Sequence, residues 1–150
     1  QYADFSVTAG ISSMNAGKYQ EAYDRFRKSI ELNPGSPETY FQIGRLYTRT
    51  GEVLLARASY LQAIALAPSH VPSLGNIGAG YLAEGHPDSA LPYLRRAVEA
   101  NPRDVPAIEA LGDAYRLLGR MEDAKTTYQQ AARLGGARAR KFLVEMRSSR

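Results

Sequence analysis

Apolar residues recur along this chain at steps of three and four, in short runs interrupted by glycine or proline. Tyr40, Ile43 and Tyr47 fall on one helical face, Gly51 follows, and Ala56, Tyr60 and Ala63 then fall on another. That spacing predicts two amphipathic helices joined by a glycine turn. Pro68 comes after the second helix, where a residue without an N–H cannot continue the backbone ladder. Gly44 and Ala56 are small enough to let the two helices approach, and the tyrosines fill the space beside them at about 2 kcal/mol for each well-buried ring. Ser36 ahead of Pro37, and Asp104 ahead of Val105, read as N-caps.

The pattern repeats at a fixed interval. Ala22, Ala56, Ala90 and Ala124 are spaced 34 residues apart, as are Gly10, Gly44, Gly78 and Gly112, and Gly17, Gly51, Gly85 and Gly119; Pro34, Pro68 and Pro102 keep the same period. With Tyr40, Ile43, Gly44, Tyr47, Ala56, Tyr60, Ala63 and Pro68, the second unit resembles the tetratricopeptide repeat at every signature position. Leu74, Ile77, Gly78, Tyr81, Ala90, Leu94, Ala97 and Pro102 carry the same pattern in the third unit, and Ile108, Leu111, Gly112, Tyr115, Ala124, Tyr128 and Ala131 in the fourth. One hairpin cannot bury both its faces, so neighbours stack. The expectation is an all-α solenoid forming a single domain over residues 1–150. Its four hairpins cover about 3–36, 37–70, 71–104 and 105–138, and a capping helix covers about 137–148. The resemblance implies a right-handed solenoid with a concave and a convex side. The first unit departs from the pattern, with Ser6 and Ser13 where an aromatic is expected and Ser29 where alanine is.

After Ala131 the stop falls to Gly135-Gly136. Ala139, Phe142, Leu143 and Met146 then share one face, with Arg138, Lys141 and Glu145 on another, as in a solvating cap helix. This segment also explains the charge. The chain carries a formal +4, and residues 137–150 hold the whole excess in Arg138, Arg140, Lys141, Arg147 and Arg150 against Glu145. A basic groove along the molecule is thereby excluded, and nucleic-acid binding is reduced to the cap helix alone.

Composition narrows the class further. At 44% hydrophobic and 23% charged the chain has the material for a core and lacks the signature of disorder. It has no apolar run of membrane-spanning length, and Gln1-Tyr2-Ala3-Asp4 is not the start of a signal peptide, so it reads as soluble, cytoplasmic or periplasmic. A start at Gln1 suggests a processed or excised piece, and an excess of arginine over lysine with much alanine and glycine suggests a GC-rich bacterial genome. There is no cysteine, hence no disulfide or thiolate chemistry.

Several apparent motifs dissolve in this register. Gly75-Asn76-Ile77-Gly78-Ala79-Gly80 looks like a phosphate loop, but Gly78 is the signature glycine inside a helix. His70 and His86 fall in turns of different units without ligand spacing, so they are read as solvent-exposed turn residues; neither a metal nor a cofactor is called for. No Ser-His-Asp arrangement appears, and the tyrosines are packing residues. Pro92 is expected to interrupt one bond inside its helix.

The resemblance places partner segments against the first helix of each unit, on the concave face. Helical spacing puts Val7, Ile11 and Met14 there as an apolar stripe. Phe41, Gln42, Arg45 and Arg49 follow from the second unit, Asn76 from the third, and Glu109 and Asp113 from the fourth. Phe41 with its apolar neighbours would anchor a ligand, Arg45 and Arg49 would read its charge, and Asn76 matches a position from which family members hold a peptide backbone. The basic clamp used for chaperone tails is matched by at most one asparagine, which disfavours that ligand. The reading is therefore a non-catalytic protein-interaction scaffold binding a peptide or helix. The alternatives are a substrate-recognition or targeting module of a larger enzyme, and self-assembly into a homo-oligomer through the terminal repeats.

Overall fold

A computed structural model describes residues 2–148; Gln1 and Arg150, used above, lie outside the described residues. The described chain is all α: α1 (Tyr2–Asn15), α2 (Tyr19–Leu32), α3 (Pro37–Thr50), α4 (Val53–Leu66), α5 (Val71–Ala83), α6 (Pro87–Ala100), α7 (Val105–Leu117), α8 (Met121–Arg133) and α9 (Ala137–Ser148). Its contacts gather into two compact units, Gln1–Ser73 and Leu74–Arg150, with the division just inside α5.

In the first unit α1 pairs with α2 and α3 with α4. Gly17 and Gly51 make the turns at φ 75° and 82°, a conformation open to glycine because it has no Cβ. Ser36 caps α3 as its sequence predicts, its side chain accepting the Thr39 N–H at 3.4 Å, with Pro37 in the first turn. Close approach is built in. A Cβ on Gly10 would meet the Phe26 ring, and one on Gly44 would meet the Tyr60 ring, so each hairpin closes by setting an aromatic face on bare backbone. Met14, Ala22, Phe26, Ile43 and Leu46 form the core, with Ile11, Tyr23, Ile30 and Tyr47 packed against it. Ser29, off-pattern in the sequence, is fully buried and satisfied, its Oγ 3.2 Å from the Ala3 carbonyl and 3.1 Å from Thr39 Oγ1.

The second unit repeats the device. Gly78 lies against Leu94 and Gly112 against Tyr128, while Asp104 accepts the Ala107 N–H at 3.1 Å as the cap of α7. Pro92 sits exposed within α6, which continues past it. Ala90, Leu94, Ile108, Leu111, Tyr115, Tyr128 and Ala139 share one core. The tyrosines divide: Tyr60, Tyr115 and Tyr128 are buried, whereas Tyr40, Tyr47 and Tyr81 are half-buried. At the end of α8, Gly135 takes φ 99° and the Gly136 N–H bonds the Ala131 carbonyl at 2.8 Å, which makes the stop expected at Gly135-Gly136. In α9, Phe142 packs on Tyr128 with ring centroids 4.3 Å apart, Ala139 is buried, and Arg138, Lys141 and Glu145 are exposed.

Candidate functional site

On the first unit, α1 and α3 each present a row of side chains at three- and four-residue steps. Val7 and Ile11 of α1 are half-buried. Met14, expected on the same stripe, is instead fully enclosed, because the α1 stripe turns inward toward Phe26 and Ile43 as the helix nears its turn. On α3 the ring of Phe41 is half-buried among Tyr60 (centroid 5.9 Å), His70 (5.2 Å, edge-on) and the Arg45 guanidinium (5.9 Å). Gln42 is 5% exposed and spans its neighbours: its amide donates to Glu38 Oε1 at 2.5 Å and accepts from Arg45 Nη1 at 3.0 Å. The position is internal because α3 is flanked on that side. Gln42 therefore orients Arg45 and is not itself a surface contact.

Two further expectations change. Arg49, expected as a second charge reader, is exposed but donates to the Met14 carbonyl at 3.3 Å, an acceptor at the end of α1 that it shares with the Gly17 N–H at 3.1 Å. His70 is not a free turn histidine: its side chain is 17% exposed. Its Nδ1 accepts the Ser73 N–H at 3.3 Å and lies 2.8 Å from Ser73 Oγ, while its Nε2 is 3.7 Å from Glu38. It thus caps the start of α5 and walls in Phe41. His-x-x-Ser ahead of an apolar helix was the only sequence signal for it. His86 is exposed, as expected.

On the second unit Asn76 stands exposed on α5. Nothing lies within 4 Å of where a Cβ on Gly75 or Gly80 would be, so neither glycine is required by packing. Glu109 and Asp113, the expected acidic end of the groove, are engaged by the chain itself. Glu109 accepts the Ala139 N–H at 2.9 Å, and Arg138 bridges Glu109 at 3.3 Å and Asp113 at 3.2 Å. Asp113 also accepts the Tyr128 hydroxyl, and Arg116 lies 3.9 Å from it. Burial, with the Asp113 carboxylate next, raises the Tyr128 phenol to about 12. The two carboxylates hold α9 in place.

Models of the tetratricopeptide repeat match residues 7–71 and 81–141, and the chain belongs to that family. It is an all-α repeat protein of the solenoid class. A peroxisomal targeting signal receptor of Pichia angusta is 28% identical over 88 residues, and the tetratricopeptide repeat-containing protein trd-1 of Caenorhabditis elegans is 29% identical over 78. These matches take in 58% and 52% of this chain but only 16% and 10% of the curated relatives' own lengths. Among solved structures, MamA 41-end from Desulfovibrio magneticus RS-1 aligns with a TM-score of 0.85 at 23% identity, over 99% of this chain and 85% of that one. Pseudomonas aeruginosa pilF aligns at 0.79 and 21% identity, over 89% and 61%. YrrB, described as a tetratricopeptide repeat protein with an unusual peptide-binding site, aligns at 0.77 and 20% identity, over 87% and 67%. The architecture is that of a protein-interaction scaffold. Among the described residues no helix is long and apolar enough to cross a membrane.

Proposed function

We propose that this protein is a non-catalytic adaptor that captures a partner segment against the α1 and α3 face of its first unit. Phe41, Val7 and Ile11 act as the apolar anchor, and Arg45 pairs with a carboxylate on the partner. One observation carries the reading. Phe41 is held by Tyr60, His70 and Arg45 in a fixed pose and is still only half-buried, with a cation beside it that Gln42 orients. A rigid aromatic with an adjoining directed charge is the composition of a binding hot spot. The peptide-binding site named for YrrB supports the same class of ligand. Asn76, exposed on the second unit, is proposed as a separate contact to a partner's backbone. The proposal leaves out Met14, Gln42 and Arg49 as contacts and gives Glu109 and Asp113 to the docking of α9.

Selection from a displayed peptide library tests this. The expected ligands place an acidic residue next to an apolar one, and a protein carrying Phe41→Ala with Arg45→Glu, folded by circular dichroism, loses them by at least about tenfold. Undiminished affinity in that variant rejects the assignment.

A further inference from the structure

Away from that face, α2 and α3 of the first unit enclose an open cleft of about 280 Å³. Its lining is unusual in kind: Tyr19 and Tyr23 from α2, Leu46, Tyr47 and Thr50 from α3, and Glu52 from the turn that follows. Tyr23 and Tyr47 stand 6.1 Å apart with their planes tilted by 54°. Burial, and then the hydrogen bond with Tyr23, raises the Tyr47 phenol above its ordinary value, so the ring is a neutral π-face at physiological pH. Glu52 accepts the Thr50 hydroxyl at 2.9 Å, which fixes one carboxylate oxygen at the mouth of the cleft.

The repeat supplies an internal comparison. Two periods further on, Tyr115 takes the place of Tyr47 and Arg120 that of Glu52. There the Arg120 guanidinium lies 4.7 Å from the Tyr115 ring centroid, and Arg95 lies 5.7 Å from it while its Nε donates to the phenol oxygen at 3.0 Å. At this position of the hairpin, then, the fold already seats cations on the signature tyrosine. In the first unit Glu52 stands where Arg120 does, Arg27, the counterpart of Arg95, is exposed and lies 3.9 Å from Glu31, and Pro87 and Leu91 of the second unit are answered by Tyr19 and Tyr23. The walls gain π-faces as the rim changes sign. We propose that the Tyr19, Tyr23 and Tyr47 cleft, closed by Glu52, is a recognition site for an organic cation supplied from outside the chain. Its volume suits a single ammonium or guanidinium head, not a drug-sized molecule.

The test is a titration of the full chain by NMR with choline and with its neutral isostere 3,3-dimethylbutan-1-ol. In parallel arms, short peptides carry one lysine, trimethyl-lysine or arginine. The expected result is that a cation shifts the resonances of Tyr19, Tyr23, Tyr47 and Glu52 and binds about tenfold more tightly than the isostere. Choline binding alone marks a free quaternary ammonium as the source; peptide binding marks a partner side chain. Glu52→Arg, which restores the residue used in the second unit, is expected to fill the cleft and abolish binding in a protein of undiminished stability. Glu52→Gln keeps the shape and weakens binding severalfold, more so at low salt. Equal affinity for choline and the isostere, no shift with any cation, or full binding by Glu52→Arg overturns the proposal.

Discussion

The Ala139 N–H donates to Glu109 Oε1 at 2.9 Å, so a side chain of α7 satisfies one of the amide donors that the first turn of α9 leaves without a helical partner. A cap normally comes from the residue just before a helix, and here Gly136 has no side chain to offer. Glu109→Ala is expected to cost about 1–2 kcal/mol in urea unfolding, the range of a lost cap. Arg138 is more than half exposed, so solvent screens its pair with the largely buried Glu109, and that pair is expected to add about 1 kcal/mol or less. Glu109→Gln keeps an acceptor and is expected to cost less. Faster amide exchange confined to the start of α9 checks the mechanism.

Tyr128 is expected to titrate late, near 12. Because the folded phenol holds its proton more tightly than the unfolded one, its contribution to stability is complete below about pH 10 and is lost as the pH rises toward 12. Absorbance at 295 nm, with Tyr128→Phe to assign the late step, follows this directly. Asp113→Asn is expected to lower the midpoint only in part, since burial is the larger cause and remains.

Three glycines of α5 are expected to answer the same substitution with opposite signs. Gly75→Ala and Gly80→Ala meet open space and stabilise by about 0.5–1 kcal/mol each through helix propensity. Gly78→Ala drives a methyl into Leu94 and destabilises by about 1–3 kcal/mol. Thermal unfolding of the three single variants decides the matter.

Ser29→Ala restores the residue that the repeat pattern calls for, yet is expected to destabilise by about 1 kcal/mol. The serine hydroxyl is buried between Thr39 Oγ1 and the Ala3 carbonyl, and its removal takes a partner from the buried Thr39 hydroxyl. Ser29→Ala paired with Thr39→Val, measured by denaturant unfolding, is expected to recover much of the loss; an additive further loss contradicts the coupling.

The hairpins were legible because they are written in local, periodic terms: a helix face, a glycine turn at Gly51, a cap at Ser36 or Asp104. Even the short α9, and the stop of α8 at Gly135-Gly136 ahead of it, follow from neighbouring residues. What periodicity identifies is the face on which a residue sits, not what another element lays over it. Glu109 and Asp113 occupy the expected face of α7, but Arg138, at least 25 positions away in sequence, is what they meet. Met14 was placed on an exposed stripe because helical spacing cannot tell where a face passes beneath its neighbour. His70 looked like a loop residue until its bonds to Ser73 and its edge contact with Phe41 gave it a place.

The pairing of Gly10 with Phe26, Gly44 with Tyr60, Gly78 with Leu94 and Gly112 with Tyr128 lies wholly within one hairpin each time. Inheritance of such a chain is therefore modular. A gene can gain or lose a block encoding 34 residues, the spacing of these glycines, without renegotiating how its helices sit together. An insertion of any other length within a hairpin separates one glycine from the side chain that covers it. Divergence among copies is then free to act on everything else, as the exchange of arginine for glutamate between Arg120 and Glu52 illustrates.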